Sequence, residues 1–315
     1  MIPSLTFVKK NQIMVSYNPR VWFSFIFHSY GRQVMRILAP VMLLFTLFTA
    51  LVCYLLIEVA HFDIDTMKHH FTINHTLHSL LGVVLGLFLV FRTNSAYDRW
   101  WEGRRQWGQL VNSTRNFSFK LASILPLNDL ENRKWFAVML SNLAASLRDH
   151  LRDEAQLDKM ESAGEGFEES LKHHRHLPNG LSLKIYNRVM DLHKSNAVSG
   201  YQLLMLEHEL KDFSDVIGAC ERIKNTPIPY SYMMYIKQFI FLYTITLPFA
   251  FVVSSGYFTI PIVMLTTFVI FSVELIAEEI EDPFGGDMND LPTTALALKI
   301  REGVIEILLP PELWD

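Results

Sequence analysis

The chain has 315 residues, 50% hydrophobic and 19% charged, where a soluble protein of this length ordinarily carries about a quarter charged residues. A net charge of −4 without a basic stripe excludes a nucleic-acid binder, and two cysteines exclude a disulfide framework. No P-loop, G-x-S-x-G, H-E-x-x-H or dinucleotide fingerprint is present, so the common enzyme classes have no signature here and no cofactor or metal is expected.

Residues 1–36 form a polar N-terminal segment with Lys9, Lys10, Arg20, Arg32 and Arg36. The run 37–60 follows, long and apolar enough to span a bilayer, with Glu58 at its far end. It is too long for a signal-peptide core and has no cleavage site, so it reads as a retained span. The loop 61–76 holds Asp63, Asp65, a single Lys68 and most of a cluster of five histidines (His61, His69, His70, His75, His78). No spacing among them matches a closed metal site, so surface histidines are expected, with a pH-sensitive or metal-binding mouth as the sharper alternative. The second apolar segment, roughly 77–91, spans only if its helix continues past both apolar ends.

After Phe91 the same segment turns dense in Arg, Trp and Asp without a proline, so one helix changes solvent along its length. Val83, Leu87 and Phe91 recur four apart and share one stripe, which His75 and Ser79 extend one way and Asn94, Ser95 and Asp98 the other. Around an axis such a stripe makes a hydrophobic constriction; within one bundle it is ordinary core, and spacing alone favours core. Gly82 and Gly86 form G-x-x-x-G, which admits a close neighbour. Trp100 and Trp101 suit interfacial anchors. The charges from Arg92 to Arg105 suit pairing along their own helix.

Residues 92–237 read as a helical domain, with Trp135, Val138, Met139, Leu143 and Leu147 at helical spacing and a second helix around Tyr201–Asp212. Residues 161–178 read as a polar loop. A third span is expected over about 239–253 and a fourth over about 257–277, joined at Ser254-Ser255-Gly256. Pro248 and Pro261 are expected to kink or break them. The segment 278–315 holds an acidic turn and a helix starting at Thr293 or Asp290 and stopped by Pro310-Pro311. Lys and Arg are concentrated before the first span, after the second and before the third. The fold class is therefore an all-α integral membrane protein with four transmembrane helices, a cytoplasmic helical domain (92–237) and both termini cytoplasmic.

The stretch FRTNSAYDRWWEGRRQWGQL, with TPIPYSYMMYIKQ and IEDPFGGDMNDLP at 280–292, resembles the bestrophin family of ion channels in its prokaryotic branch. The resemblance covers roughly residues 5–300. It implies a homopentamer in the bacterial inner membrane around one pore, with a hydrophobic neck and a cytoplasmic vestibule. Carried over by position, the neck rings match Val83, Leu87 and Phe91. The cytosolic exit constriction, counted back from Ile228-Pro229, falls on Tyr201.

Animal relatives carry a calcium clasp after Pro-Phe-Gly. Here the matching residues, 285–290, supply only Asp287, Asp290 and Asn289, fewer carboxylates than calcium coordination wants, and a structural turn is expected. Asp63, Asp65 and Asp98 would bias the path toward monovalent cations, while Arg92 and Arg99 oppose this if they face the axis. The alternatives are an anion channel of the same family, a non-conducting scaffold or regulator, and a secondary transporter, against which stands the lack of a repeat.

Overall fold

The computed structural model describes residues 29–59, 64–154 and 157–313, with side chains from Gln33 in the first stretch and from Thr76 in the second. Among the described residues all regular structure is helical: α1 (Ser29–Tyr54), α2 (Ile64–Ile124), α3 (Leu130–Leu151), α4 (Phe167–Leu171), α5 (Leu177–Lys194), α6 (Gly200–Asn225), α7 (Tyr230–Ser255), α8 (Thr259–Glu281) and α9 (Thr293–Leu308).

Three helical stretches are long and apolar enough to cross a membrane: Gln33–Val59, Thr76–Ile124 and Tyr230–Glu281. The last contains two helices, α7 and α8, separated at Gly256. Gly256 has φ +52°, a conformation that side chains with a Cβ rarely adopt, and its place in the turn follows from that. The second apolar segment is part of a 61-residue helix, about 90 Å long at 1.5 Å per residue. It begins at Ile64, so most of the expected loop 61–76 is helical; the condition set by its short apolar run is met at both ends. Pro248 lies inside α7 without ending it. Pro261 falls in the first turn of α8, where no intrahelical N–H is required, so it causes no break.

The chain divides into two compact units. One comprises the described residues through Arg99 together with Pro227–Glu281; the other comprises Trp100–Thr226 and the residues from Asp282 on. In the first unit α1 packs on α7 and α8. Phe45 lies edge-on to Phe241 at 6.3 Å and tilted against Phe271 at 6.0 Å. Thr46 and Thr49 donate back to the carbonyls of Met42 and Phe45 at 2.7 Å, which satisfies their hydroxyls inside an apolar helix. Leu85 and Leu89 of α2 meet Ile236 and Ile240 of α7.

The second unit has a conventional buried core built from the later half of α2 with α3, α5, α6 and α9. Phe117 sits at its centre, edge-on to Phe136 at 6.0 Å and Phe213 at 5.5 Å. Burying each such ring contributes about 1.5–3 kcal/mol. The predicted α3 stripe is buried at Met139, Leu143 and Leu147. On α6 the core face is Leu206, Leu210, Phe213 and Ile217, while Leu204 and Met205 are exposed. The stretch 161–178 includes α4, whose Phe167 and Leu171 are buried, so it is less loop-like than its polarity suggests.

Arg133 solves a termination problem in this unit. The end of α2 leaves carbonyls without intrahelical donors. The buried Arg133 guanidinium donates to the carbonyls of Ala122, Leu125 and Pro126 at 2.6–3.0 Å and to Leu308 at the end of α9 at 3.2 Å. A cation at two helix C-termini also suits their dipoles.

Candidate pore surface

Helix α2 presents two different faces within the first unit. His78, Leu85, Leu89, Arg92 and Ala96 are buried at helical spacing. Val83, Leu87 and Phe91 lie on another face and are 72%, 55% and 52% exposed. They are not core residues within the chain, where spacing alone favoured core. Three large apolar side chains in a row on a free surface call for lipid, water-lean space or another copy to cover them. The same stripe continues through exposed Asn94 to exposed Asp98.

The glycine pair is asymmetric. A Cβ on Gly82 would come within 2.7 Å of the Tyr243 hydroxyl, so Gly82 makes room for a ring, not for a backbone; Gly86 has open space. Tyr243 also stacks on His78 at 4.3 Å. His78 is therefore an interior residue, contrary to the surface expectation. His61 and Asp63 lie outside the described residues, and the side chains of Asp65, His69, His70 and His75 do as well.

Arg92 and Arg99 reach partners on α8, beyond their own helix. Arg92 is fully buried and pairs with Glu281 at 2.7 Å and Glu274 at 3.6 Å, both on α8. Glu281 accepts in addition from the Ile228 backbone N–H at 3.2 Å, and its own carbonyl accepts from Arg99 Nε at 3.1 Å. Glu102 pairs with Arg222 at 3.0 Å. Arg92 thus points into its subunit, away from the Val83–Phe91 face. Sequence spacing missed this triad because its members are 182 and 189 residues apart; Glu274 in an apolar segment was the one available signal.

In the second unit Tyr201 stands in the first turn of α6, 86% exposed. A capping box holds it there: Ser199 Oγ accepts from the Gln202 N–H, and the Ser199 N–H donates to Gln202 Oε1 at 2.8 Å. A cavity of about 570 Å³ lies along α2, lined by residues including Trp101, Arg105, Asn112, Ser113 and Asp212.

The acidic turn is closed by protein groups. Trp100 Nε1 donates to the Asn289 carbonyl at 2.9 Å, so Trp100 is committed to this turn and does not serve as a free interfacial anchor. Arg152 Nε donates to the Phe284 carbonyl at 3.2 Å, and its Nη2 to Thr293 Oγ1 at 2.9 Å. The Leu291 N–H takes the Pro283 carbonyl at 2.9 Å. The carbonyls of Phe284, Asn289 and Pro283 thus accept from an arginine, an indole and a backbone amide. Asp290 Oδ2 accepts from the Asp287 N–H at 2.5 Å.

Burial pushes the Asp290 carboxyl up to about 6, against the lowering influence of that hydrogen bond. Between its unfolded value near 4 and about 6, the folded state holds more protons than the unfolded one. Stability from this group therefore grows as pH falls through about 6 and is fully present below about 4. Asp290→Asn keeps the acceptor for Asp287. It is expected to raise stability at pH 7.5 by on the order of 1 kcal/mol and to have little effect near pH 4.5. Thermal unfolding at the two pH values reads this; an equal shift at both removes the titration argument.

A family profile described as bacterial/fungal bestrophin protein matches residues 14–306. The chain is 31% identical over 302 residues to a voltage-dependent anion channel-forming protein of Synechocystis sp., covering 94% of this chain and 95% of that one. It is 32% identical over 289 residues to the voltage-dependent anion channel-forming protein YneE of Escherichia coli, covering 91% of each. The crystal structure of a bacterial bestrophin homolog from Klebsiella pneumoniae superposes with a TM-score of 0.75 at 26% identity, covering 86% of this chain and 98% of that chain. The chain belongs to the bestrophin family.

Proposed function

We propose that copies of this chain assemble as a homopentamer in the bacterial inner membrane and conduct small monovalent ions down their gradient. Helices α1, α7, α8 and the apolar part of α2 are the four spans. Residues 1–36, 92–237 and 278–315 lie on the cytoplasmic side, a placement that the Lys and Arg distribution supports. Val83, Leu87 and Phe91 ring the neck, and Tyr201 rings the cytosolic exit. The observation that carries this reading is the exposure of the Val83–Phe91 face on a helix whose opposite face is packed. A line of apolar side chains turned away from its own subunit suits a constriction that gates by dewetting.

An apolar neck does not choose a sign, so flanking charges decide. Arg92 is held by Glu274 and Glu281, which removes the nearest positive charge from the path and leaves Asp98 exposed below the stripe. This favours cations, with Asp63 and Asp65 acting in the same sense at the outer mouth. The second reading is an anion channel, favoured by the printed names of the Synechocystis and Escherichia coli relatives.

Purified protein in planar bilayers under a KCl gradient separates the two. The expected reversal potential lies on the potassium side of zero, and Asp98→Asn moves it toward the chloride value. A wild-type reversal near the chloride equilibrium potential replaces the cation reading with the anion one. Absence of any flux favours a non-conducting scaffold. Images of the particle along its symmetry axis count the copies.

A further inference from the structure

The last turn of α3, the start of α5 and the later part of α6 bring three donor side chains together in the second unit. His150 Nε2 lies 2.8 Å from Glu221 Oε1, and His176 Nε2 contacts the same oxygen. The donor atoms of all three lie within 4.8 Å of one another. The two imidazoles are 4.4 Å apart between centres and tilted by 41°, so their Nε2 edges converge on the carboxylate. Their side chains are 29%, 29% and 25% exposed, enough for an ion and its remaining waters to enter. Glu221 is 45 residues from His176 and 71 from His150, so no local motif announces the group.

We propose that His150, His176 and Glu221 form a binding site for a divalent transition-metal ion of the Zn²⁺ class, which ties α3, α5 and α6 together. Two imidazole nitrogens and one carboxylate oxygen are a donor set that zinc accepts, with water completing a tetrahedron. The set is too poor in oxygen for calcium or magnesium.

Without an ion, both imidazoles carry a proton on Nε2 and donate to Glu221. Burial alone would raise the Glu221 pKa, but hydrogen bonds from His176 and His150 hold it below the ordinary carboxylate value, so the carboxylate is ready as an anionic ligand. Metal binding needs the Nε2 lone pairs and moves each proton to Nδ1. His150 sits in the closing turn of α3. His176 is the N-cap of α5, its Nδ1 accepting from the Asn179 N–H at 3.2 Å. That one cap bond is given up, at a partly exposed helix start where water can replace it, in exchange for bonds from three ligands to one ion. The neighbouring Lys224 does not compete for the site's charge, since its Nζ is held by Asp153 at 2.6 Å and the His150 carbonyl at 3.2 Å.

The test uses the full-length purified protein in detergent, stripped by a chelator and desalted. ZnCl₂ is titrated by calorimetry, and the bound metal is counted by mass spectrometry after a second desalting. One zinc per chain is expected, and CoCl₂ in its place should give the visible absorption of tetrahedral cobalt. Loss of a second-shell partner already weakens metal binding 10–100-fold, so loss of a ligand is expected to weaken it at least about 100-fold. His176→Asn keeps a capping side chain and removes the Nε2 donor. Glu221→Gln keeps the shape and removes the charge, and His150→Gln serves if either elutes as aggregate. Failure of the wild type to bind zinc overturns the site. So does wild-type affinity in variants with an unchanged elution profile, since the zinc then sits elsewhere, for example on the histidines of residues 61–75.

Discussion

Arg92→Met is expected to destabilise the protein by ~3–5 kcal/mol, because it leaves Glu274 and Glu281 buried with no cation between them. The pair energies matter less than the asymmetry. A buried ion group that is complete roughly offsets its own desolvation, whereas removing one partner leaves an uncompensated charge. The triple variant Arg92→Met, Glu274→Gln, Glu281→Gln is accordingly expected to recover most of the loss, since no charge is then left unpaired. The Gln at 281 can still accept from the Ile228 N–H. Thermal aggregation of the purified protein, followed by size exclusion, reads both variants. If the triple variant is no more stable than Arg92→Met, the triad is not held together by charge compensation.

The second large effect belongs to the exposed stripe. With Val83, Leu87 and Phe91 all replaced by alanine, single-channel conductance or open probability is expected to rise about tenfold or more. Lowering the barrier at a dewetted constriction by only about 1.4 kcal/mol already gives a factor of ten. Stability should change less than for a core triple substitution, because each of these side chains is more than half exposed. Unaltered conductance and gating in a well-folded variant would mean that the stripe is not the gate. The two predictions form a matched pair on one helix: Arg92 should cost stability, and its neighbour Phe91 should alter conduction.

The pattern of helices was largely readable from the residues. Apolar runs and the Pro310-Pro311 stop located elements that rest on local signals, and α9 starts at Thr293, one of the two starts expected. The continuity of α2 could also be read, since neither proline nor a turn residue interrupts residues 79–107. Which face of that helix is buried could not. Val83 and Leu85 are equally apolar; their different exposure is decided by Ile236 and Ile240, some 150 residues away in sequence. The same limit hid the partners of Arg92, whose acids lie on α8, and the role of Arg133, where four carbonyl acceptors carry no side-chain signature at all. Pro261 misled for the opposite reason: the local rule is sound, but a first-turn position makes it harmless, and Pro248 leaves α7 unbroken.

The position of Arg152 in the turn 282–290 has a consequence for signalling. A soluble cation comes and goes with its concentration, and a loop that depends on one can report that concentration. A guanidinium tethered to the chain has no dissociation constant. Its occupancy is fixed from the moment the unit folds, through Phe284 and Thr293 as contacts. In this chain those contacts do not vary with the concentration of any soluble cation.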